Sequence, residues 1–180
     1  MIKIWETVEE NLRLNHNIFD TFSVIRKNPK NSSISDFTLI KSLDWVNIIP
    51  ITKKNKIVMI EQYRHGIDNI TLEIPGGMIE KNEDPALAGQ RECKEETGYH
   101  SNEETILLGI TQPNPAFMNN VMYHYLWKNC ELKYEQNFDE FEDINVVLYS
   151  INEVEEMILN GKLKHSLVIA AFYYQKLRNL

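Results

Sequence analysis

At 180 residues, with 43% apolar and 25% charged side chains, the chain is long enough for one domain with a full hydrophobic core and a small appended layer. Its formal charge of −7 excludes the broad basic surface that unspecific binding to nucleic acid or an anionic membrane requires. A polyanionic ligand stays open, because a bound divalent cation inverts the local charge.

The opening residues, Met1-Ile2-Lys3-Ile4-Trp5-Glu6-Thr7, lack the apolar core of a signal peptide. No apolar run reaches membrane-spanning length, so the expectation is a cytoplasmic protein with no membrane partner. Short strand-like runs over 20–26 and 35–41 flank the polar break Lys27-Asn28-Pro29-Lys30-Asn31-Ser32-Ser33, which reads as a loop or hairpin connection. Runs rich in Ile and Val over 46–51 and 56–62, joined by Lys53-Lys54-Asn55, read as a hairpin of the core sheet. A further strand over 71–74 ends at Pro75-Gly76-Gly77.

The first strong helix signal follows. Asp84 suits the N-cap, Pro85 the first helical position and Gly98 the C-terminal stop. Strands are expected over 105–110, 121–127 and 144–149. Ser150 with Glu153 forms a capping-box pattern for a helix ending near Gly161, and a mostly apolar helix over 165–177 closes the chain. Strands and helices interleave, which makes the class α/β, with helices flanking a mixed sheet. Cys93 and Cys130 lack zinc-type spacing, and a disulfide framework is not expected in a chain of this size.

Residues three and four apart are neighbours on a helix, so Glu92, Glu95 and Glu96 share one side. Ala86, Gly89 and Cys93 lie on another, where small side chains allow close approach to a sheet. Like-charge pairs at this spacing cost roughly 0.2–0.5 kcal/mol each, and a helix-interior glycine about 1 kcal/mol against alanine. A solvated acidic face partly neutralised by Arg91 and Lys94 is the ordinary outcome for three glutamates. The full pattern points further: Gly77, then Glu83 six residues on, Arg91-Glu92 eight beyond that, then Glu95-Glu96 and Gly98. Oxygen-only donors suit Mg²⁺, with Mn²⁺ as substitute, and the helix offers no His or Cys arrangement for zinc.

In every fixed position residues 77–98 resemble the Nudix box. The resemblance implies an α/β/α sandwich with a mixed sheet as the hydrolase domain, over 46–180, and a small N-terminal β layer over 1–45. It implies hydrolysis of a nucleoside diphosphate linked to another group. Glu92, Glu95, Glu96 and the Gly76 carbonyl would be metal ligands, Arg91 would orient the glutamates, and Glu83 would support them. Cys93 fills a position where the family usually has an aliphatic residue.

Outside the box, Glu61-Gln62-Tyr63-Arg64 and Leu72-Glu73-Ile74-Pro75-Gly76-Gly77 resemble the ADP-ribose pyrophosphatase branch. There Arg64 would contact the diphosphate or ribose, and Glu73 would sit beside the metal site. Pro115, sixteen residues after Tyr99, matches a proline that marks ADP-ribose hydrolases, while Asn120 stands where many relatives carry an acidic residue. In the acidic loop Asp139-Glu140-Phe141-Glu142-Asp143, Glu140 and Glu142 are candidates for the catalytic base or an extra ligand. Phe22, Phe37 and Trp45 are expected to be core rather than base-stacking aromatics. The branch also implies a homodimer in which the N-terminal sheet exchanges between subunits. The expected substrate is ADP-ribose, giving AMP and ribose 5-phosphate. Alternatives are GDP-mannose, another sugar nucleotide or a dinucleotide, and a non-catalytic module that senses a nucleotide.

Overall fold

The computed structural model describes residues 1–138 and 143–180. They divide into two compact units, Met1–Leu43 with Gln112–Val121, and Asp44–Thr111 with Met122–Leu180.

The first unit is an antiparallel sheet of β1 (Glu6–Asn15), β2 (Asp20–Lys27) and β3 (Ile34–Lys41), with β2 central. The segment 112–121 pairs with the end of β3: Ile40 N donates to Phe117 O at 2.7 Å and Asn119 N to Ile40 O at 3.3 Å. Strand β1 escapes sequence-based expectation for a physical reason. Every residue in it is exposed, and register shifts bracket Val8 and Arg13. With no buried face and two interruptions, the period-two alternation that marks a strand is lost. The aromatics differ from expectation as well. Phe37 is exposed and meets Trp5 edge-on at 5.8 Å, and Phe22 is half-buried under the Lys41 ammonium.

The second unit contains β4 (Trp45–Thr52), β5 (Ile57–Arg64), β6 (Asn69–Glu73), β7 (Gly76–Met78), α1 (Pro85–Thr97), β8 (Tyr99–His100), β9 (Ile106–Thr111), β10 (Met122–Leu132), β11 (Ile144–Tyr149), α2 (Ile151–Leu159) and α3 (Ser166–Arg178). The strands form a mixed sheet ordered β11-β5-β4-β10-β8, with β6 on β5, β7 on β4 and β9 on β10. The β4–β10 pair is parallel. Both faces are covered, as such a central pair requires. Val46, Ile48, Tyr125 and Trp127 pack with Ala88 and Cys93 of α1. Ile49 and Leu126, one residue out of phase, pack with Val154, Met157, Val168, Ala171 and Phe172 of α2 and α3. This is the expected α/β/α sandwich. No helix among the described residues is long and apolar enough to cross a membrane.

The sheet is split beside β4, and the split positions the site. Ile48 N donates to Pro75 O at 3.0 Å and Thr52 N to Lys56 O at 2.8 Å. Between them stands Pro50, which has no N–H to donate on that edge. Here β4 exchanges one neighbour for another: β5 pairs it only at Ile51, and β7 takes over at residues 45–47. The chain leaving β6 crosses this gap through Pro75 into β7, a short strand at residues where the sequence marks only the end of the preceding one. Helix α1 then begins at Asp84, whose carboxylate accepts from Ala86 and Leu87 N, and stops at Gly98 in the left-handed conformation, φ 73°. The Ser150–Glu153 capping box is present at the start of α2, and His165 precedes α3 as its N-cap.

Fully buried His124 braces this unit. Its Nδ1 donates to Asn47 Oδ1 at 2.7 Å, Asn47 Nδ2 donates to Leu167 O at 3.2 Å, and Thr111 Oγ1 lies 2.9 Å from Nε2. The Asn47 contacts place the ring proton on Nδ1, so Nε2 accepts from the Thr111 hydroxyl. Burial pushes the His124 pKa down to about 4, against about 6.5 in an unfolded chain. Below pH 6.5 the unfolded chain takes a proton that the fold refuses. Stability therefore falls as pH drops from about 6.5 to about 4, by on the order of 3 kcal/mol. Urea unfolding of wild type and His124→Gln at pH 7, 6, 5 and 4 should show the steeper acid loss in wild type. Equal slopes would show that His124 titrates normally in the fold.

Candidate active site

Arg91 on α1 organises the first half of the site. Its guanidinium holds Glu83 through two bonds, Nε to Oε1 at 2.9 Å and Nη2 to Oε2 at 3.0 Å. The Nη1 group donates to Glu92 Oε1 at 2.8 Å and Glu95 Oε2 at 3.2 Å, and Nη2 also reaches Met78 O at 3.1 Å. One planar fork thus gathers three carboxylates and ties α1 to β7, a geometry that lysine cannot reproduce. Hydrogen bonding from Arg91 holds the Glu83 carboxyl below its usual range, and the bond to Glu83 raises Arg91 in return.

Two glycines allow close approach, Gly77 to helix α1 and Gly76 to strand β4. A Cβ on Gly77 would lie 2.4 Å from Glu92 Oε1, and one on Gly76 would lie 2.3 Å from Val46 O and 2.8 Å from Asn47 Cα. Gly89, as its small size predicts, lets α1 lie against Val46 and Ile48. The β4–β7 ladder has bonded positions at Ile48–Pro75 and Asp44–Ile79, which places Asn47–Gly76 at a non-bonded position. The Gly76 N–H and C=O therefore face away from β4. That N–H donates to Glu96 Oε2 at 2.9 Å. Glu96 is almost fully buried, and Gln136 Nε2 donates to its main-chain carbonyl at 2.6 Å.

Among the described residues, no three His, Cys, Asp or Glu side chains form a cluster that could hold a metal ion. Glu92 and Glu95 turn toward Arg91 Nη1, and Glu96 turns toward Gly76 N. The donors that α1 and Gly76 offer are all oxygen, carboxylates and a backbone carbonyl, which suits a hard divalent cation.

The second half of the site is Arg64 with Glu73. Arg64 Nε meets Glu73 Oε1 at 2.7 Å and Nη2 meets Oε2 at 2.8 Å. Thr71 Oγ1 donates to Oε1 at 2.5 Å, and His165 Nε2 lies 3.6 Å from Oε2. Burial raises the Glu73 carboxyl, but Arg64, His165 and Thr71 together outweigh it and leave the carboxyl below its usual range. Sequence reading missed Thr71 and His165. Thr71 sits two residues before Glu73, on the same strand face, so period two could have found it. His165 lies 92 positions along the chain with no local signal. Pro115 belongs to the first unit, in the segment that pairs with β3. Glu140 and Glu142 lie outside the described residues. Burial pushes the Cys93 thiol well up and Cys130 to about 12, so neither is a nucleophile at neutral pH.

The model of the NUDIX domain matches residues 43–172. The chain belongs to the Nudix family. This Nudix protein is 31% identical over 149 residues to the methanol dehydrogenase activator of Bacillus methanolicus, covering 82% of this chain and 80% of that one. It is 25% identical over 149 residues, with the same coverage, to the ADP-ribose pyrophosphatase of Bacillus subtilis (strain 168). A solved ADP compounds hydrolase superposes with a TM-score of 0.85 at 17% identity, covering 98% of this chain and 94% of that chain. That last likeness is one of fold.

Proposed function

We propose that this Nudix hydrolase cleaves the pyrophosphate bond of a nucleoside diphosphate linked to a sugar, with ADP-ribose giving AMP and ribose 5-phosphate. The observation that carries the reading is the Arg91-centred group of carboxylates on α1, set against Gly76 and Gly77. Likeness to ADP-ribose pyrophosphatases supports the choice of substrate.

On this reading Glu92, Glu95, Glu96 and the Gly76 carbonyl hold Mg²⁺, with Mn²⁺ as substitute. Bound there, the cation would supply neutralising charge to the pyrophosphate and a lowered pKa to a coordinated water. Arg91 keeps the glutamates in one orientation, so little reorganisation accompanies reaction. Arg64, held in plane by Glu73, presents its outer edge to a phosphate or ribose oxygen. Pro115 shapes the sugar end of the substrate. Glu140 and Glu142 remain the candidates for the base that takes the proton from water. The proposal extends to a cytoplasmic homodimer, supported by a β1 that is exposed along its whole length.

A second reading, a Nudix module that regulates a partner protein, is favoured by one observation, the likeness to the methanol dehydrogenase activator. A substrate panel with and without Mg²⁺ separates the readings. ADP-ribose would be set against GDP-mannose, UDP-glucose, NADH, diadenosine polyphosphates and 8-oxo-dGTP, with products identified by chromatography. Metal-dependent release of AMP from ADP-ribose is the expected result. Preference for another compound would keep the helix chemistry and discard the substrate. No turnover on any compound would overturn the enzyme reading in favour of the regulatory one.

A further inference from the structure

The first turn of α3 touches both halves of the site. Leu167 O accepts from Asn47 Nδ2 at 3.2 Å, and Asn47 is the residue on which Gly76 is seated. Two residues earlier, His165 Nε2 faces Glu73 Oε2 at 3.6 Å. The helix is anchored along its length. The Tyr174 ring fills the space that a side chain on Gly109 would need, and Arg178 Nε donates to Leu108 O at 2.7 Å. His165 is the N-cap at the junction of loop and helix, and its carbonyl accepts from Val168 N at 3.1 Å and Ile169 N at 3.0 Å, which fixes it to the start of that anchored helix.

The other nitrogen of His165 decides its tautomer. Nδ1 is buried and has no hydrogen-bond partner among the described residues. A buried N–H without a partner is rarer and costlier than an unused acceptor, so in the neutral imidazole the proton resides on Nε2, the nitrogen 3.6 Å from Glu73 Oε2. That oxygen already accepts from Arg64 Nη2. The imidazole thus stands on the side of Glu73 opposite Thr71, which holds the other oxygen. Arg64 of β5 and Thr71 of β6 hydrogen-bond one buried carboxylate, the His165 imidazole lies within ion-pair distance of it, and the Arg64 side chain is the more exposed of the two basic members.

We propose that His165 is a positioning residue for substrate binding. By confining Glu73, it keeps the Arg64 guanidinium in the plane and direction that receive a phosphate or ribose oxygen of the nucleotide. The proposal rests on the functional reading above for the identity of the ligand, but not for the ordering of the pair. A contact that Arg64 makes to a part of the nucleotide away from the bond being broken is equal in the ground and transition states, so its loss raises KM more than it lowers kcat.

Two variants test it, His165→Ala and His165→Gln, the second keeping an N–H donor on a planar group of similar reach. For His165→Ala, KM for ADP-ribose should rise roughly 5- to 10-fold with kcat changed less than about twofold, and the Mg²⁺ concentration for half-maximal rate should not move. His165→Gln should recover most of the loss. A fall in kcat at constant KM, an unchanged KM, or equal defects in both variants would each overturn the role.

The Arg64 Nε–H resonance supplies a readout that needs no turnover. It should exchange slowly with solvent in wild type and in His165→Gln, and faster in His165→Ala. If wild type fails on every nucleotide of the panel, the functional reading falls. The exchange measurement still decides whether His165 orders the pair, and equal exchange in all three proteins would sink the inference.

Discussion

Glu96→Gln is expected to lower kcat on ADP-ribose about a thousandfold, roughly 4 kcal/mol of barrier, with the melting temperature within about 2 °C of wild type. The contrast follows from what the side chain does in the fold. Glu96 Oε2 accepts from Gly76 N, and a glutamine carbonyl can accept the same bond in nearly the same volume. What the amide lacks is negative charge at the place where α1 meets β7. A divalent cation binds a neutral amide oxygen far more weakly than a carboxylate, so the loss should fall on chemistry. The check is kcat and KM under matched Mg²⁺, alongside a thermal scan. Turnover equal to wild type would remove Glu96 from the site. A large fall in melting temperature would show that its charge stabilises the fold instead.

Gly76→Ala should destabilise the fold by about 3 kcal/mol. For a chain of this size that corresponds to a drop of roughly 6–12 °C in melting temperature. The added Cβ would stand 2.3 Å from Val46 O and 2.8 and 2.9 Å from Asn47 Cα and Cβ. Two of those are backbone atoms in the central strand, so no rotamer change relieves the clash. Strand β7 must move off β4, which endangers the Ile48–Pro75 bond and pulls the Gly76 N–H away from Glu96. Activity should fall with stability even below the melting transition. Gly66→Ala is the matched control, since nothing lies within 4 Å of a Cβ there, and it should remain within about 0.5 kcal/mol of wild type. A Gly76→Ala protein with wild-type stability would mean that β7 is not seated on β4 as described.

The elements legible in advance were those whose signals are local. Asp84, Pro85 and Gly98 act at the ends of α1, and the Ser150–Glu153 box spans four residues, so each could be read without knowing the fold. The buried strands β4 and β5 announced themselves through runs rich in Ile and Val. Strand β1 did not, because exposure on both faces removes the hydrophobic alternation that sequence reading depends on. Strand β7 was hidden for a different reason. Three residues beginning Gly-Gly look like a turn until the missing N–H of Pro50 opens a place for them beside β4.

The sequence by itself determined the chemistry: oxygen donors at helical spacing, an arginine among them and glycines where backbone must come close. Those properties belong to residue types and to intervals of a few positions, which a helix converts directly into geometry. Tertiary structure alone decided the pairings. That Arg91 spends its fork on Glu83, Glu92 and Glu95, that Glu96 instead faces Gly76, and that His165 arrives beside Glu73 all depend on how strands and helices pack. Contacts across such distances in the chain leave no periodic trace, because the chain between them sets only their connection and the shared core sets their approach.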